Sequence, residues 1–374
     1  MTAQYRICTR CIMDTTDPDI QFDENGICNH CKNYYVRLAN EVHSGDEGKR
    51  RLDEIVARIK AHGHGKQYDC ITGVSGGVDS TMVIYKLSKL GLRPLVVHFD
   101  NGWNTELANE NVKRMLDILN IDLHATVVDW EEFKDLQLSF LKASVPNAEI
   151  PTDHAINALL FNMAAKYKIR HIIGGGNVAT EGILPQSWRH NSLDLRHLHA
   201  IHNRFGKIPL KTLPKISLPR IFYNVLFRGI RIIPILNYID YKKSQAMQVL
   251  QKEFGWRYYG YKHYESIYTR FFQGYILPRK FGYDKRRAHL STLICSGDVT
   301  REDALAEMEK DPYVDNNLDE DKAFVIKKLG LTEQDFDQLM KLPIKAHSDY
   351  PSNAFIFVGL SNLRAIFKRI ATSA

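Results

Sequence analysis

The sequence predicts an α/β fold in which a doubly wound parallel sheet is preceded by a small cysteine module and followed by a mainly helical region. Three observations lead there. From Tyr68 onward short apolar runs alternate with segments of helical periodicity. Polar or glycine-rich stretches suited to ligand contact follow three of those runs. Four cysteines stand in two close pairs near the start. Alternating strands and helices imply parallel pairing, helices on both faces and ligands at the carboxyl ends of the strands.

Taken in order, residues 1–45 form the cysteine module. Cys8 and Cys11, then Cys28 and Cys31, give C-x2-C, a gap of sixteen residues, and C-x2-C. Four thiolates at this spacing fit a tetrahedral Zn²⁺ site of the ribbon type. Four sulfur ligands leave no open position, so the ion is expected to be structural. His30, inside the second pair, is expected to be exposed and not a ligand. The polar stretch Glu41 to Gln67 reads as a linker helix into the main domain, residues 46–187.

Asp69–Val74, apolar and bounded by polar residues, reads as the first strand. Ser75-Gly76-Gly77-Val78-Asp79-Ser80 follows, and then a helix from Thr81 that stops at Gly91. Gly76 and Gly77 let an anion approach the backbone N–H groups, and Ser75 and Ser80 add hydroxyl donors. The helix start adds partial positive charge. This is a phosphate cradle. It is not the Walker loop, because no Gly-Lys-Ser/Thr follows. Asp79 beside a phosphate is repulsive unless a cation lies between them, which points to Mg²⁺.

The second strand is Pro94–Phe99, the third Leu123–Val128, and the fourth His171–Ile173, followed by Gly174-Gly175-Gly176-Asn177. A helix spans Thr152–Lys168, where Ile156, Leu159, Leu160, Met163, Ala164 and Tyr167 recur at helical spacing behind a Thr cap.

Residues 188–374 form a basic, mainly helical substrate- and partner-binding region. Between Arg189 and Arg231 nine Lys or Arg face a single acid, Asp194, so this stretch favours anionic partners. Ile216–Leu236 mixes that charge with large apolar side chains. Three readings compete for it: a subunit interface with a partner or a further copy of the chain, a membrane-surface patch, or part of the substrate pocket. From Tyr258 to Leu305 cations are grouped among aromatics, with a solvated helix face as the plain alternative.

At 374 residues and 44% hydrophobic, the chain holds two or three units with a core that needs no disulfides. It has no apolar run of the ~18 residues a membrane helix requires. The start lacks an apolar signal core, so a cytoplasmic location is expected. A net charge of +7 favours anionic ligands and is too mild to indicate nucleic acid.

The hexapeptide at Ser75–Ser80 resembles the pyrophosphate-binding loop of the ATP pyrophosphatase (PP-loop) superfamily, whose fold is adenine nucleotide alpha-hydrolase-like. Its members cleave ATP between the α and β phosphates. The resemblance implies that the whole loop, Val78 included, holds pyrophosphate and that His98, Phe99 and Asp100 hold the adenosine. Gly175, Gly176 and Asn177 resemble the second nucleotide loop, and Glu181 would join Asp79 on Mg²⁺.

With the cysteine pairs, the segment 262–270 ("KHYESIYTR") and the segment 277–291 ("LPRKFGYDKRRAHLS") resemble the N-acetyl sugar amidotransferases of surface-polysaccharide and lipopolysaccharide O-antigen biosynthesis. That family converts an N-acetyl group of an activated sugar, such as a UDP-linked acetamido uronic acid, to an acetamidino group. It uses ATP and ammonia and passes through an O-adenylyl imidate. The resemblance implies catalytic roles for Asp79, Lys262, Glu265 and Arg270. Lys262 would neutralise the α-phosphate in the transition state. His263, Lys280, Arg286 and Arg287 would bind the anionic nucleotide sugar. No cysteine has the flanking residues of a glutaminase nucleophile, so ammonia is expected from a separate glutaminase resembling that of histidine biosynthesis, with a cyclase-like companion. A tRNA-modifying enzyme of the thiolation type is the alternative. Such enzymes commonly have Lys at the position of Val78 and a second cysteine pair, whereas only Cys70 and Cys295 lie outside the module.

Overall fold

The computed structural model describes residues 4–260, 264–313, 318–357 and 359. Five strands form one parallel sheet: β1 (Cys70–Gly73), β2 (Pro94–Asp100), β3 (Leu123–Val127), β4 (His171–Gly174) and β5 (Arg231–Pro234). Their order is β3-β2-β1-β4-β5. The register sets Ile71 against Leu95 on one side and Ile172 on the other, and Ile172 against Ile232.

Successive strand residues point to opposite faces, and the core divides accordingly. Ile71, Leu95, Val97 and Ile172 pack with helix Ile150–Lys166 and helix Trp130–Ala143. Cys70, Val96 and Ile173 pack on the other face with Leu52, Val56 and Ile59 of helix Gly45–Gly63, Val83 and Leu87 of helix Val78–Lys89, and Leu250 of helix Lys243–Phe254. Helices on both faces make the sheet doubly wound, as the alternation in the sequence predicts.

Three differences have local causes. Helix Ile150–Lys166 starts two residues before the expected Thr cap, with Pro151 in its first turn, where a missing N–H costs nothing. Thr152 instead accepts from Asn101 Nδ2 at 3.1 Å. The sheet runs past the boundary drawn at residue 187, because Arg231–Pro234 pairs with β4. The stretch read as one contact surface, Ile216–Leu236, is therefore helix Leu218–Leu226 followed by an edge strand. Its outer side still exposes Tyr223, Val225, Leu226, Phe227 and Ile232. Among the described residues no helix is long and apolar enough to cross a membrane.

The cysteine module packs against the C-terminal region. Helix Asn29–Glu41 contacts Val178–Glu181 and helix Lys285–Ser296. Arg301 donates to the Cys11 and Cys8 carbonyls at 3.1 and 3.0 Å. Arg287 donates to the Ile12 carbonyl at 2.7 Å and pairs with the buried Asp14 at 3.1 Å.

Candidate active site

The carboxyl ends of β1, β2 and β4 open into a cavity of about 430 Å³. Its floor is the loop after β1. Gly76 adopts φ +87°, and a Cβ there would lie 2.9 Å from the Ala108 carbonyl oxygen, so only glycine fits both the conformation and the space. The Gly77 N–H donates to Ser75 Oγ at 3.2 Å, and Ser80 Oγ donates to the Gly77 carbonyl at 3.1 Å. These bonds hold the loop open above the N-terminus of helix Val78–Lys89, where positive partial charge favours an anion. Val78 is buried beneath it.

Asp79 and Glu181 both line this cavity. Asp79 Oδ2 accepts from Thr180 Oγ1 at 3.3 Å, and Oδ1 accepts from the Tyr241 hydroxyl. Burial and the charges of Asp79 and Glu181 push the Tyr241 phenol far above its ordinary pKa, so Tyr241 is a fixed donor. Two carboxylates on the wall of an anion-binding loop are a hard-oxygen set that suits Mg²⁺.

The other nucleotide candidates divide. His98 and Phe99 line the cavity, as does Gly175. His98 Nδ1 lies 2.7 Å from the Val74 carbonyl, which can only accept, so Nδ1 carries the proton. His98 Nε2 lies 2.8 Å from Asn104 Nδ2, so both ring nitrogens are engaged. Asp100 turns away to accept the Gly102 N–H at 2.8 Å. Asn177 caps the short helix Val178–Glu181 through the Thr180 N–H at 2.8 Å and so shapes the second loop. A Cβ on Gly176 would lie 3.4 Å from Glu181 Oε2.

Of the C-terminal candidates, Glu265 is buried and lines the cavity, with its Oε1 3.4 Å from where a Cβ on Gly77 would stand. Lys262 and His263 lie outside the described residues. Arg270 lines a second chamber of about 530 Å³, which shares Lys243 and Tyr259 with the first. There it is held in a bidentate pair with Asp321, both contacts 2.6 Å. Arg286 lines a third chamber of about 310 Å³, against Asp284. Arg287 does not line these chambers and anchors the cysteine module instead. Lys280 donates to the Leu339 carbonyl among Phe140, Phe272 and Phe336, and burial lowers its pKa to about 8. Arg287 and Lys280 thus contact other parts of the protein, which a count of cations does not reveal.

Sequence reasoning missed Tyr241, Lys243 and Lys285. Lys243 and Lys285 bring cationic side chains to the first cavity, and Lys285 sits 3.2 Å from Glu149. The only signal was that Lys285 stands in the basic C-terminal run.

The four module cysteines are fully buried, their sulfurs within 4.8 Å of one another. Cys8–Cys31 and Cys11–Cys28 sulfurs are 3.9 and 3.7 Å apart, and metal–sulfur bonds of ~2.3 Å in a tetrahedron require about 3.8 Å. Backbone N–H groups of Arg10, Cys11 and Cys28 point at Cys8 Sγ, and that of Met13 at Cys11 Sγ, which stabilises thiolate. The cluster can hold a metal ion. His30 is not exposed but half-buried, 2.6 Å from Asp17.

A parallel sheet whose central β1 leads through Ser-Gly-Gly-Val-Asp-Ser into a helix at a nucleotide-sized cavity defines an α/β protein with a phosphate-binding type of loop at the carboxyl edge of its sheet. The particular relationship lies at the other end of the chain. Residues 265–364 match the family described as LPS biosynthesis protein WbpG-like, C-terminal domain. No curated protein matches the chain. Similar solved structures include an NMN synthetase from Francisella tularensis (14% identity over 58% of this chain and 90% of that one, TM-score 0.31). An NH3-dependent NAD synthetase from Campylobacter jejuni is also similar (16%, 55% and 84%, 0.30). A tRNA thiolase with a 4Fe-4S cluster from Methanococcus maripaludis is a third (11%, 79% and 82%, 0.32). At such identities and scores these likenesses say nothing of this chain's activity.

Proposed function

We propose that this protein is the ATP-dependent synthetase subunit of an amidotransferase that converts an N-acetyl group of a nucleotide-linked sugar to an acetamidino group in lipopolysaccharide biosynthesis. One observation carries the reading. The WbpG-like domain supplies Glu265, Ser266, Tyr268, Thr269, Gln273 and Lys285 to the wall of the same cavity whose floor is the phosphate loop. The segment matching a domain of lipopolysaccharide biosynthesis and the phosphate-type loop line one cavity, which supports a shared reaction.

The chemistry follows from the substrates. An acetamide oxygen is a poor leaving group, so ammonia cannot displace it directly. Attack of that oxygen on the α-phosphorus of ATP forms the O-adenylyl imidate and breaks the bond to pyrophosphate. Ammonia then adds to the imidate carbon, AMP leaves, and loss of a proton gives the amidine. The backbone N–H groups of Gly76 and Gly77, with Ser75 and Ser80, receive the pyrophosphate. Asp79 and Glu181 would hold Mg²⁺, which when bound offsets charge on the departing pyrophosphate. Tyr241 and Thr180 donate to Asp79 and fix its carboxylate in place. Lys243 and Lys285, with Lys262 by resemblance, offer positive charge to phosphate oxygens. Arg270 and Arg286 border the adjoining chambers, the natural space for the sugar and its nucleotide. The four-cysteine cluster would hold a structural zinc.

Ammonia would come from a partner glutaminase. Cys70 is buried on β1 and burial raises its thiol pKa, which suits packing rather than nucleophilic catalysis. The exposed patch of Tyr223, Leu226, Phe227 and Ile232 is our docking surface for that partner; Arg220 and Arg228 stack on Tyr223.

Product analysis tests the reading. ATP with a UDP-linked acetamido uronic acid and ammonium should yield AMP, pyrophosphate and a sugar lighter by about 1 Da, the change from oxygen to NH. ADP with inorganic phosphate as products would reject it.

A further inference from the structure

Away from the nucleotide cavity, three histidines from two distant stretches of the chain meet at one point. His190 precedes helix Leu195–Phe205, His197 stands in its first turn, and His347 begins the turn His347–Asp349. One ring nitrogen of each lies within 4.8 Å of those of the other two. His197 Nε2 and His347 Nδ1 are 3.0 Å apart. The His190 ring centroid is 4.1 Å from that of His197 and 4.9 Å from that of His347.

A buried carboxylate orients one of these rings. Asp194, fully buried, lies with Oδ2 3.1 Å from His190 Nε2. A proton held there leaves Nδ1 of His190 with its lone pair, the pairing by which carboxylates orient metal-binding imidazoles. The same carboxylate accepts the N–H groups of His197 (3.2 Å) and Asn353 (2.7 Å), so it is fixed in place.

We propose that His190, His197 and His347 bind a divalent transition-metal ion of the zinc class, with Asp194 orienting His190. Metal–nitrogen bonds of ~2.1 Å in a tetrahedron place nitrogens about 3.4 Å apart, between the 3.0 Å of the His197–His347 pair and the 4.8 Å within which all three lie. Imidazole donors favour zinc, nickel or copper over magnesium or calcium. Three protein nitrogens leave a fourth position for water. None of the three rings lines the nucleotide cavity, so the ion acts as a clamp. It pins the segment around residues 345–353 to helix Leu195–Phe205, beside the bonds from Lys345 N–H to Ser144 O (3.0 Å) and Tyr350 Oη to Ala143 O (2.9 Å).

Cobalt uptake by the full chain, prepared without a polyhistidine tag, tests this. Wild type should hold one more Co²⁺ per chain than His190→Gln or His347→Gln. The extra ion should show visible d–d bands without the thiolate-to-cobalt charge transfer that marks an ion on the cysteines. That difference reads the histidine site whether or not the cysteines are loaded. Equal cobalt in wild type and in either folded variant would overturn the proposal. Should the variants unfold by circular dichroism, the wild type decides alone. A nitrogen-ligated cobalt spectrum saturating at one equivalent supports the site, and its absence at saturating Co²⁺ overturns it.

Discussion

The Tyr241 hydroxyl donates to Asp79 Oδ1 across 162 positions of sequence, so the acid of the phosphate loop is oriented by a residue that follows β5. Tyr241→Phe keeps the ring and removes the donor. It should lower pyrophosphate-forming turnover about 10-fold, whereas Asp79→Asn should lower it about 100-fold or more by removing the carboxylate for Mg²⁺. Both variants should melt near the wild-type temperature. Turnover of Tyr241→Phe within twofold of wild type would exclude the tyrosine from the mechanism.

Gly76→Ala combines a left-handed backbone with a contact at 2.9 Å to the Ala108 carbonyl oxygen. It should cost about 1–3 kcal/mol and weaken ATP binding more than 10-fold. Gly282→Ala is the control, because Gly282 has φ +76° and nothing within 4 Å of an added Cβ. It should show a strain penalty of about 1 kcal/mol and normal ATP affinity. Equal ATP affinity in both variants would mean that the loop does not carry the phosphates.

Arg287→Ala separates anchoring from substrate binding. With the guanidinium on Ile12 O and Asp14, its loss leaves buried Asp14 short of its cation. Metal should leave the cysteine module faster under a chelator, while KM for the nucleotide sugar stays within twofold. A raised KM with unchanged metal retention would restore the substrate role.

His171, on β4, gives the fold an acid sensitivity. Burial, then His62 and nearby arginines, lower its pKa to about 4, against ~6.5 unfolded. Above pH ~6.5 both states are neutral and nothing is lost. As pH falls from there toward 4, only the unfolded chain takes up the proton, so stability declines by about 2 kcal/mol at pH 5. Urea midpoints at pH 7 and pH 5 measure this, and His171→Gln should show a smaller drop between them. The same drop in both proteins would assign the acid sensitivity elsewhere.

The isolated chain should use ammonium salts and not glutamine. Free NH₃ is a small fraction of total ammonium at neutral pH, so unassisted activity should rise toward pH ~9. Amidine formation from glutamine alone, by protein free of other subunits, would show a glutaminase site within this chain.

Four strands and the phosphate loop were legible because their signals are local. Apolar runs of strand length and two adjacent glycines after the first depend only on neighbours in sequence. β5 was hidden because Arg231-Ile-Ile-Pro234 is four residues long, lies on a sheet edge, and carries an arginine and a proline in a basic apolar stretch. The cations show the limit most plainly. Arg270, Lys280 and Arg287 are alike in sequence, yet the fold turns them to Asp321, the Leu339 carbonyl and Asp14.

By itself, then, the sequence determined the class of fold, the loop where an anion can meet bare backbone, and the cysteine pairs. Each is written in spacing over a few residues. Only the tertiary structure decided which acids and cations share the cavity, that Tyr241 holds Asp79, and that His190, His197 and His347 converge. A charge or a ring nitrogen acts over a few ångströms of space, and His197 with His347 and Asp79 with Tyr241 close such distances from 150 and 162 positions apart.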